Sequence, residues 1–172
     1  MKETIKTNKV FLPSKEMLQP VKFKLVADPM VCTGCGICEL ACSMIKDGVY
    51  SRDLARLKVH RLYYQGQWSG TGLFAIDFCR QCSVPECFYA CPIEGCMYVD
   101  TKTGARVIDE EKCIGCRRCV EACPFSESMI VYNPEKNVCG KCDLCGGDPE
   151  CVKQCPASGN GAIGYVKIGG GT

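Results

Sequence analysis

The residues of this chain whose types and spacing could do chemistry are its cysteines. The chain has 172 residues, 18 of them cysteine, and sixteen of these fall into four runs in which three closely spaced cysteines precede a fourth. Runs one to four are Cys32, Cys35, Cys38 and Cys42; Cys79, Cys82, Cys87 and Cys91; Cys113, Cys116, Cys119 and Cys123; and Cys142, Cys145, Cys151 and Cys155. Thiolate is the soft ligand that tetrahedral iron prefers, and this spacing is the ligation pattern of [4Fe–4S] clusters. The sequence therefore predicts four [4Fe–4S] clusters.

Two other uses of cysteine compete with iron–sulfur ligation. Disulfides need an oxidising compartment, and residues 1–20 show neither the apolar segment nor the cleavage site of a secretory signal. Zinc sites pair separated CxxC motifs, often with histidine, and the chain has one histidine, His60, which we expect to be a structural residue of a strand. We therefore expect a cytoplasmic iron–sulfur protein, with a zinc or disulfide scaffold as the alternative.

Composition supports a metal-dependent fold. Aromatic residues make up 8% of the chain and glycine contributes 18 residues, so little material is available for a large apolar core. The net charge of +2 becomes about −6 if each of four clusters adds about −2. Because the sequence also has no basic tract, no nucleic-acid partner is expected. No apolar window is long enough for a transmembrane segment.

The segment between runs two and three indicates how the clusters are positioned. Residues 97–109 predict a short β-hairpin with a polar turn at residues 100–104. A run, a hairpin and a second run resemble the plan of bacterial two-cluster ferredoxins, in which the fourth cysteine of each run ligates the other cluster. That plan implies four crossed ligand sets: Cys79, Cys82, Cys87 and Cys123; Cys113, Cys116, Cys119 and Cys91; Cys32, Cys35, Cys38 and Cys155; Cys142, Cys145, Cys151 and Cys42.

The predicted fold class is α+β, with tandem two-cluster ferredoxin-like modules in which short β-hairpins and short helices pack around the clusters. Residues 79–130 would form an inner module, and residues 23–78 plus 131–172 an outer module. Residues 1–22 would form a polar arm that contacts a partner.

Strands are predicted at residues 23–28, 55–64 and 163–169, which would give the outer module its own small sheet. Residues 62–76 are predicted to form a glycine-broken loop. Its apolar and aromatic side chains would contact a partner.

Short helices are predicted to follow the third cysteine of each run. Pro92, Pro124 and Pro156 would end three of them, because proline cannot donate the next backbone hydrogen bond. Ser43 takes the place of proline in run one, so that helix should continue toward Gly48.

Several residues within or near the runs have more than one interpretation. Cys96 and Cys139 are left over, and we expect them to be small buried hydrophobic residues. In an alternative register, Cys139 would replace a ligand of run four. Arg117 and Arg118 either raise a cluster potential or bind an acidic partner, and the alternative is that both are simply solvated. Glycines inside the runs should let backbone N–H groups surround an anionic cluster; they are Gly34, Gly36 and Gly115.

The complete runs resemble a known family. CTGCGICELAC, CRQCSVPECFYACP, CIGCRRCVEACPF and KCDLCGGDPECVKQCP are similar to the iron–sulfur subunits of molybdopterin oxidoreductases such as formate dehydrogenases, dimethyl sulfoxide reductases and hydrogenases. The resemblance covers about residues 24–168. It is greatest for the small subunit of tungsten-dependent aldehyde oxidoreductase-like enzymes, including class II benzoyl-CoA reductases of anaerobic bacteria.

The resemblance implies a protein that is not catalytic on its own. It would carry electrons between a catalytic tungsten or molybdenum pterin subunit and a ferredoxin, a flavoprotein or a further iron–sulfur subunit. It would hold four [4Fe–4S] clusters, or three, since some members use fewer clusters than their cysteines allow. The alternative function is a free-standing soluble polyferredoxin.

Overall fold

The computed structural model describes residues 20–62, 73–157 and 161–168. Within these ranges the protein forms eight short strands and four helices. In sequence order they are β1 (Phe23–Ala27), α1 (Ile37–Asp47), β2 (Leu57–Arg61), β3 (Phe74–Phe78), α2 (Glu86–Tyr89), β4 (Met97–Val99), β5 (Arg106–Ile108), α3 (Arg118–Glu121), β6 (Ile130–Asn133), β7 (Val138–Lys141), α4 (Glu150–Lys153) and β8 (Ile163–Lys167). A 3-10 turn at Leu144–Gly147 separates β7 from α4. The predicted mixture of short strands and short helices is confirmed.

The described strands pair into four antiparallel two-stranded sheets, β1–β8, β2–β3, β4–β5 and β6–β7. The predicted hairpin between runs two and three is β4–β5, in which Tyr98 lies opposite Val107. The first and last of these strands pair with each other, and Phe23 of β1 lies opposite Lys167 of β8. This pairing brings run four back to run one.

The helices end where the sequence predicts. Each begins one residue before the third cysteine of a run, and α2, α3 and α4 each last four residues. Helix α1 continues to Asp47 and ends at Gly48, whose φ of 74° is left-handed. Ser43 is fully buried within it. Its hydroxyl donates to the Leu40 carbonyl over 3.1 Å and accepts from the Ser51 amide over 2.9 Å.

Two elements differ from the sequence prediction. The loop predicted at residues 62–76 is wrong at its end, because residues 74–76 belong to β3, which pairs with β2. Buried Ile76 and Phe78 alternate with Asp77, and this strand pattern lies directly after the glycines that favour a loop. Residues 63–72 lie outside the described part of the protein. The hairpin β6–β7 was not predicted.

Buried apolar side chains form two separate cores, and each core contains cysteines. The first includes Leu25, Leu57, Phe78, Leu144, Ile163, Cys38, Cys42 and Cys151. The second includes Met97, Ile108, Ile130, Cys87, Cys96, Cys119 and Cys139. Each cysteine run therefore contributes at least one buried cysteine to these cores. Among the described residues, no helix has the length and apolar character needed to cross a membrane.

Candidate iron–sulfur sites

The four runs share one backbone feature. The residue immediately before the second cysteine of each run has a positive φ; these residues are Gly34 (67°), Gln81 (51°), Gly115 (68°) and Leu144 (58°). Left-handed backbone is costly for a residue with a side chain, and it persists only where the surrounding structure determines it. The recurrence shows that all four runs fold into the same kind of loop. In the sequence, only glycine indicates such a positive φ, so the left-handed backbone of Gln81 and Leu144 was not predicted.

The cysteines come together in four groups, each of which combines three cysteines of one run with the fourth of another. We name these groups sites 1 to 4 after the run that supplies three cysteines. Site 1 is Cys32, Cys35, Cys38 and Cys155; site 2 is Cys79, Cys82, Cys87 and Cys123; site 3 is Cys113, Cys116, Cys119 and Cys91; site 4 is Cys142, Cys145, Cys151 and Cys42. That these cysteines ligate clusters in these sets stays a prediction.

Three of the groups line cavities. The cavities at sites 1, 3 and 4 are partly open, and the space within them, open solvent included, is about 310, 310 and 340 Å³. At site 2, burial raises the pKa of Cys87, and the neighbouring Cys79, Cys123 and Cys82 raise it further, although Lys141 opposes them. Among the described residues, no three Cys, His, Asp or Glu side chains have the spacing of a single-ion site. The cysteines surround a space instead of converging on one point.

Burial keeps several of these thiols protonated when no metal is bound. It raises the pKa of Cys38 to about 12, and Glu39 adds to the effect. It also raises the pKa of Cys151 to about 12, with Cys42 as the next contributor, and it raises the pKa of Cys142 well above the usual value. Because the thiolate is the metal ligand, cluster binding must release these protons.

Every site has at least one N–H group directed at a cysteine sulfur. The donors are Gly34 N to Cys32 (3.4 Å), Ala162 N to Cys155 (3.3 Å), Arg56 N to Cys42 (3.3 Å), Cys139 N to Cys113 (3.3 Å) and Lys141 Nζ to Cys87 (3.8 Å). Such donors stabilise sulfur ligands and tune cluster potentials. All-thiol donor sets with N–H groups directed at their sulfurs fit [4Fe–4S] clusters.

The two remaining cysteines both line the cavity of site 3. Cys139 lies on β7 opposite Tyr132, and Cys96 directly precedes β4. A hydrogen bond from Cys119 lowers the pKa of Cys139 to about 7, whereas burial raises the pKa of Cys96. The structure thus places Cys139 beside run three, away from the cavity that the cysteines of run four line.

Two buried cations lie beside site 2, and their burial was not predicted from the sequence. Lys141 is 5% exposed and Arg106 is 1% exposed. Burial alone would lower the pKa of Lys141, but Cys79 and Cys87 raise it. Burial lowers the pKa of Arg106, and Cys79, Cys82 and Cys87 oppose that shift. The burial of Arg106 could have been predicted from its position, because it begins a short strand and is followed by apolar residues.

Gln81 links site 2 to site 4. Its Nε2 donates to the Cys142 carbonyl over 2.7 Å, and its Oε1 accepts from the Arg106 amide over 2.9 Å. Because Gln81 is itself buried, this amide joins the loops of runs two and four in the interior.

The other residues singled out in the sequence are more exposed. Arg117 and Arg118 are both exposed, and the Arg117 guanidinium lies 4.2 Å from the centre of the Tyr132 ring. His60 lies on β2, as predicted, with its Nε2 3.3 Å from Asp77 Oδ2. Gly34, Gly36 and Gly115 all have positive φ, as predicted.

Cysteines of different sites influence one another in three pairs of sites. The pKa of Cys151 in site 4 is raised by burial and then by cysteines that include Cys38 of site 1. Burial and then Cys79 of site 2 raise the pKa of Cys142 in site 4. The pKa of Cys119 in site 3 is raised by Cys139, by burial and, among others, by Cys87 of site 2. The order is therefore site 1, site 4, site 2, site 3.

These loops, cysteine groups and hairpins define a ferredoxin-like iron–sulfur protein. It belongs to the 4Fe-4S dicluster domain family, whose model matches residues 71–162. A model described as a 4Fe-4S binding domain matches residues 29–45. Proteins of this class are not catalytic on their own, and this protein binds multiple [4Fe–4S] clusters.

Three relatives illustrate the breadth of the similarity. An uncharacterised ferredoxin-like protein of Escherichia coli K12 is 38% identical over 129 residues, covering 70% of the present sequence and 62% of the relative. The polyferredoxin-like subunit of aliphatic sulfonate oxidoreductase from Pyrococcus furiosus is 38% identical over 100 residues, covering 58% and 53%. The B subunit of the anaerobic dimethyl sulfoxide reductase of E. coli K12 is 35% identical over 125 residues, covering 67% and 58%. The match spans less than two thirds of the length of each relative.

Proposed function

We propose that this protein is the electron-transfer subunit of an oxidoreductase complex and holds four [4Fe–4S] clusters, one at each of sites 1 to 4. When bound, each cluster accepts and releases an electron. The observation that carries the proposal is the linear order of the four sites, in which each neighbouring pair is close enough for its cysteines to influence each other.

The two ends of the line reach the surface. Among the sixteen cysteines of the sites, Cys35 of site 1 and Cys116 of site 3 are exposed, whereas those of sites 2 and 4 are buried or partly buried. Exposed apolar side chains lie close by in the sequence, with Met30 68% exposed and Ile114 55% exposed. The exposed cysteines make the two ends the expected places for an electron donor and an electron acceptor to bind. Exposed apolar surface favours interaction, although it also occurs in run two, where Val84 is 71% exposed.

For the partner at one end, we propose a catalytic subunit with a tungsten or molybdenum pterin. Support comes from the sequence resemblance of the four runs to iron–sulfur subunits of such enzymes. Two relatives are also subunits of oxidoreductases, one of aliphatic sulfonate oxidoreductase and one of dimethyl sulfoxide reductase. A ferredoxin, a flavoprotein or a further iron–sulfur subunit would bind at the other end, in the cytoplasm.

The two separate cores support a division into an outer and an inner module. Cys38, Cys42 and Cys151, of sites 1 and 4, lie in one core, and Cys87 and Cys119, of sites 2 and 3, lie in the other. We propose that residues 23–78 plus 131–172 form the outer module, residues 79–130 the inner module, and residues 1–22 a partner-binding arm. Hairpin β6–β7 spans this boundary, since its buried Ile130 and Cys139 pack in the second core.

An anaerobic native pull-down with metal analysis tests this function. We expect a brown complex with about sixteen iron atoms per chain, at about four per cluster, and with tungsten or molybdenum in the co-purified subunit. Recovery of the native protein alone, fully loaded with iron, would contradict the subunit proposal and favour a free-standing polyferredoxin. A colourless protein that contains zinc would overturn the cluster assignment.

A further inference from the structure

Site 2 lies beside two buried cations that no carboxylate of the described residues neutralises. Lys141 is 5% exposed, and its Nζ lies 3.8 Å from Cys87 Sγ. Arg106 is 1% exposed; one of its terminal nitrogens, Nη1, donates to the Gly104 carbonyl over 2.6 Å, and its Nε has no hydrogen-bond partner among the described residues. In the described part of the protein, neither cation forms an ion pair with Asp or Glu.

Cations near the other sites are compensated differently. At site 4, Lys46 lies 2.6 Å from Asp143, and Arg56 pairs with both Asp47 and Glu110. Near site 1, Arg52 lies 3.5 Å from Glu39. Arg117 of run three is exposed and therefore solvated. Among the described residues, uncompensated buried positive charge is thus concentrated at site 2.

Burial of an unpaired cation is costly, and proteins tolerate it where an anion lies close by. Arginine cannot lose its proton in this setting, so the charge of Arg106 is permanent. Lys141 Nζ contacts Cys87, and the Arg106 amide donates to Gln81 Oε1 of run two over 2.9 Å. The anion close to both residues is the thiolate-ligated group that Cys79, Cys82, Cys87 and Cys123 would hold. Reduction makes that group more negative, and nearby positive charge therefore stabilises its reduced form more than its oxidised form.

We infer that Lys141 and Arg106 give site 2 the highest reduction potential of the four sites. The cluster at site 2 would then be the first of the four to be reduced. The inference rests on the ligand set proposed above for site 2. It assigns Lys141 and Arg106 a role in setting the potential, in addition to any contribution to folding.

Potentiometric titration of the iron-loaded protein, followed by electron paramagnetic resonance, tests this assignment. Lys141→Met removes the charge and retains a long apolar side chain. We expect the reduction potential of the highest-potential couple to fall by about 59 mV, which corresponds to a change of about tenfold in the equilibrium constant for one-electron reduction. A hydrogen bond to a charged group has about this strength. Lys141→Arg, which keeps the charge, should restore most of the parent potential. A merely structural role would not make the potential depend on the charge.

Lys153→Gln is the matched control, because Lys153 also lies in a cysteine run but is exposed and pairs with Asp148 over 2.5 Å. It should leave every couple in place. Arg106→Gln removes the second buried charge and should lower the reduction potential of the same couple. This variant tests the inference even if Lys141→Met does not fold.

Three results would overturn the inference: unshifted couples in the site 2 variants, a shift of a lower-potential couple only, or an equal shift in Lys153→Gln. Iron content, measured on the same samples, shows whether the role of the two cations or the proposed four-cluster function is wrong. A parent protein with few clusters would refute the assignment of four sites, whereas full iron with unchanged potentials would refute only the role of the two cations.

Discussion

Replacing Cys35 and Cys155 together with alanine is expected to remove one cluster, although the two residues belong to different runs. Both line the cavity of site 1, together with Cys32 and Cys38. The double variant leaves that site two thiols and leaves sites 2, 3 and 4 complete. At about four iron atoms per cluster, iron should fall from about sixteen to about twelve atoms per chain, with three intact clusters.

The matched comparison is Cys145→Ala with Cys155→Ala, two changes within run four. Cys145 lies at site 4 with Cys42, so this variant damages sites 1 and 4 and leaves two intact clusters, or about eight iron atoms in intact clusters. Intact clusters are counted by integrating the electron paramagnetic resonance of the fully reduced protein, alongside total iron. If each run held its own cluster, the two variants would exchange results, and that outcome would refute the crossed arrangement.

Three further predictions concern individual side chains. Glu39→Gln should raise the potential of the site 1 couple in a potentiometric titration, because buried Glu39 stands next to Cys38 and accepts from the Val59 amide over 3.0 Å; an unchanged potential would exclude this charge effect. Asp47→Asn should cost about 3–5 kcal/mol in urea denaturation at pH 7, because the carboxylate is 1% exposed and bonds to Arg56. Burial alone would raise the pKa of Asp47, but its hydrogen bonds lower it overall, so the stabilisation is present above about pH 4. It is lost as pH falls through the lower folded-state pKa, and the parent should then approach the variant; a constant difference would contradict this. Cys139→Ala should keep all iron, since Cys139 is absent from the cavity of site 4 and site 3, which it lines, already has four other run cysteines; loss of one cluster would show that it is a ligand.

Features encoded by neighbouring residues could be predicted from the sequence. Proline after the fourth cysteine limits α2, α3 and α4 to four residues each, and its absence after Cys42 lets α1 extend to Gly48. Alternating residues around a polar turn were enough to predict β4–β5. Each of these depends on hydrogen bonds and dihedral angles within a few residues, which sequence spacing determines.

Features that depend on distant contacts could not be predicted in the same way. Gln81 and Leu144 adopt left-handed backbone without being glycine. The side-chain amide of Gln81 bonds to Arg106 and Cys142, and Leu144 is buried in the first core. Lys141 is a neighbour of Cys142 in the sequence, yet its ammonium lies against Cys87 of another run. The partner of each side chain is fixed only when the runs have come together.

The buried charges give the line of sites a direction that the cysteine pattern alone lacks. Near site 1 the buried Glu39 carboxylate is paired with the more exposed Arg52, whereas Lys141 and Arg106 place unpaired positive charge beside site 2. Because a positive neighbour favours reduction, we expect the potential of site 2 to be higher than that of site 1. An electron that enters near Cys35 would then move inward spontaneously. Transfer onward from site 2 to site 3 would be uphill, so delivery through Cys116 would depend on an acceptor whose potential is high enough to make the overall transfer downhill.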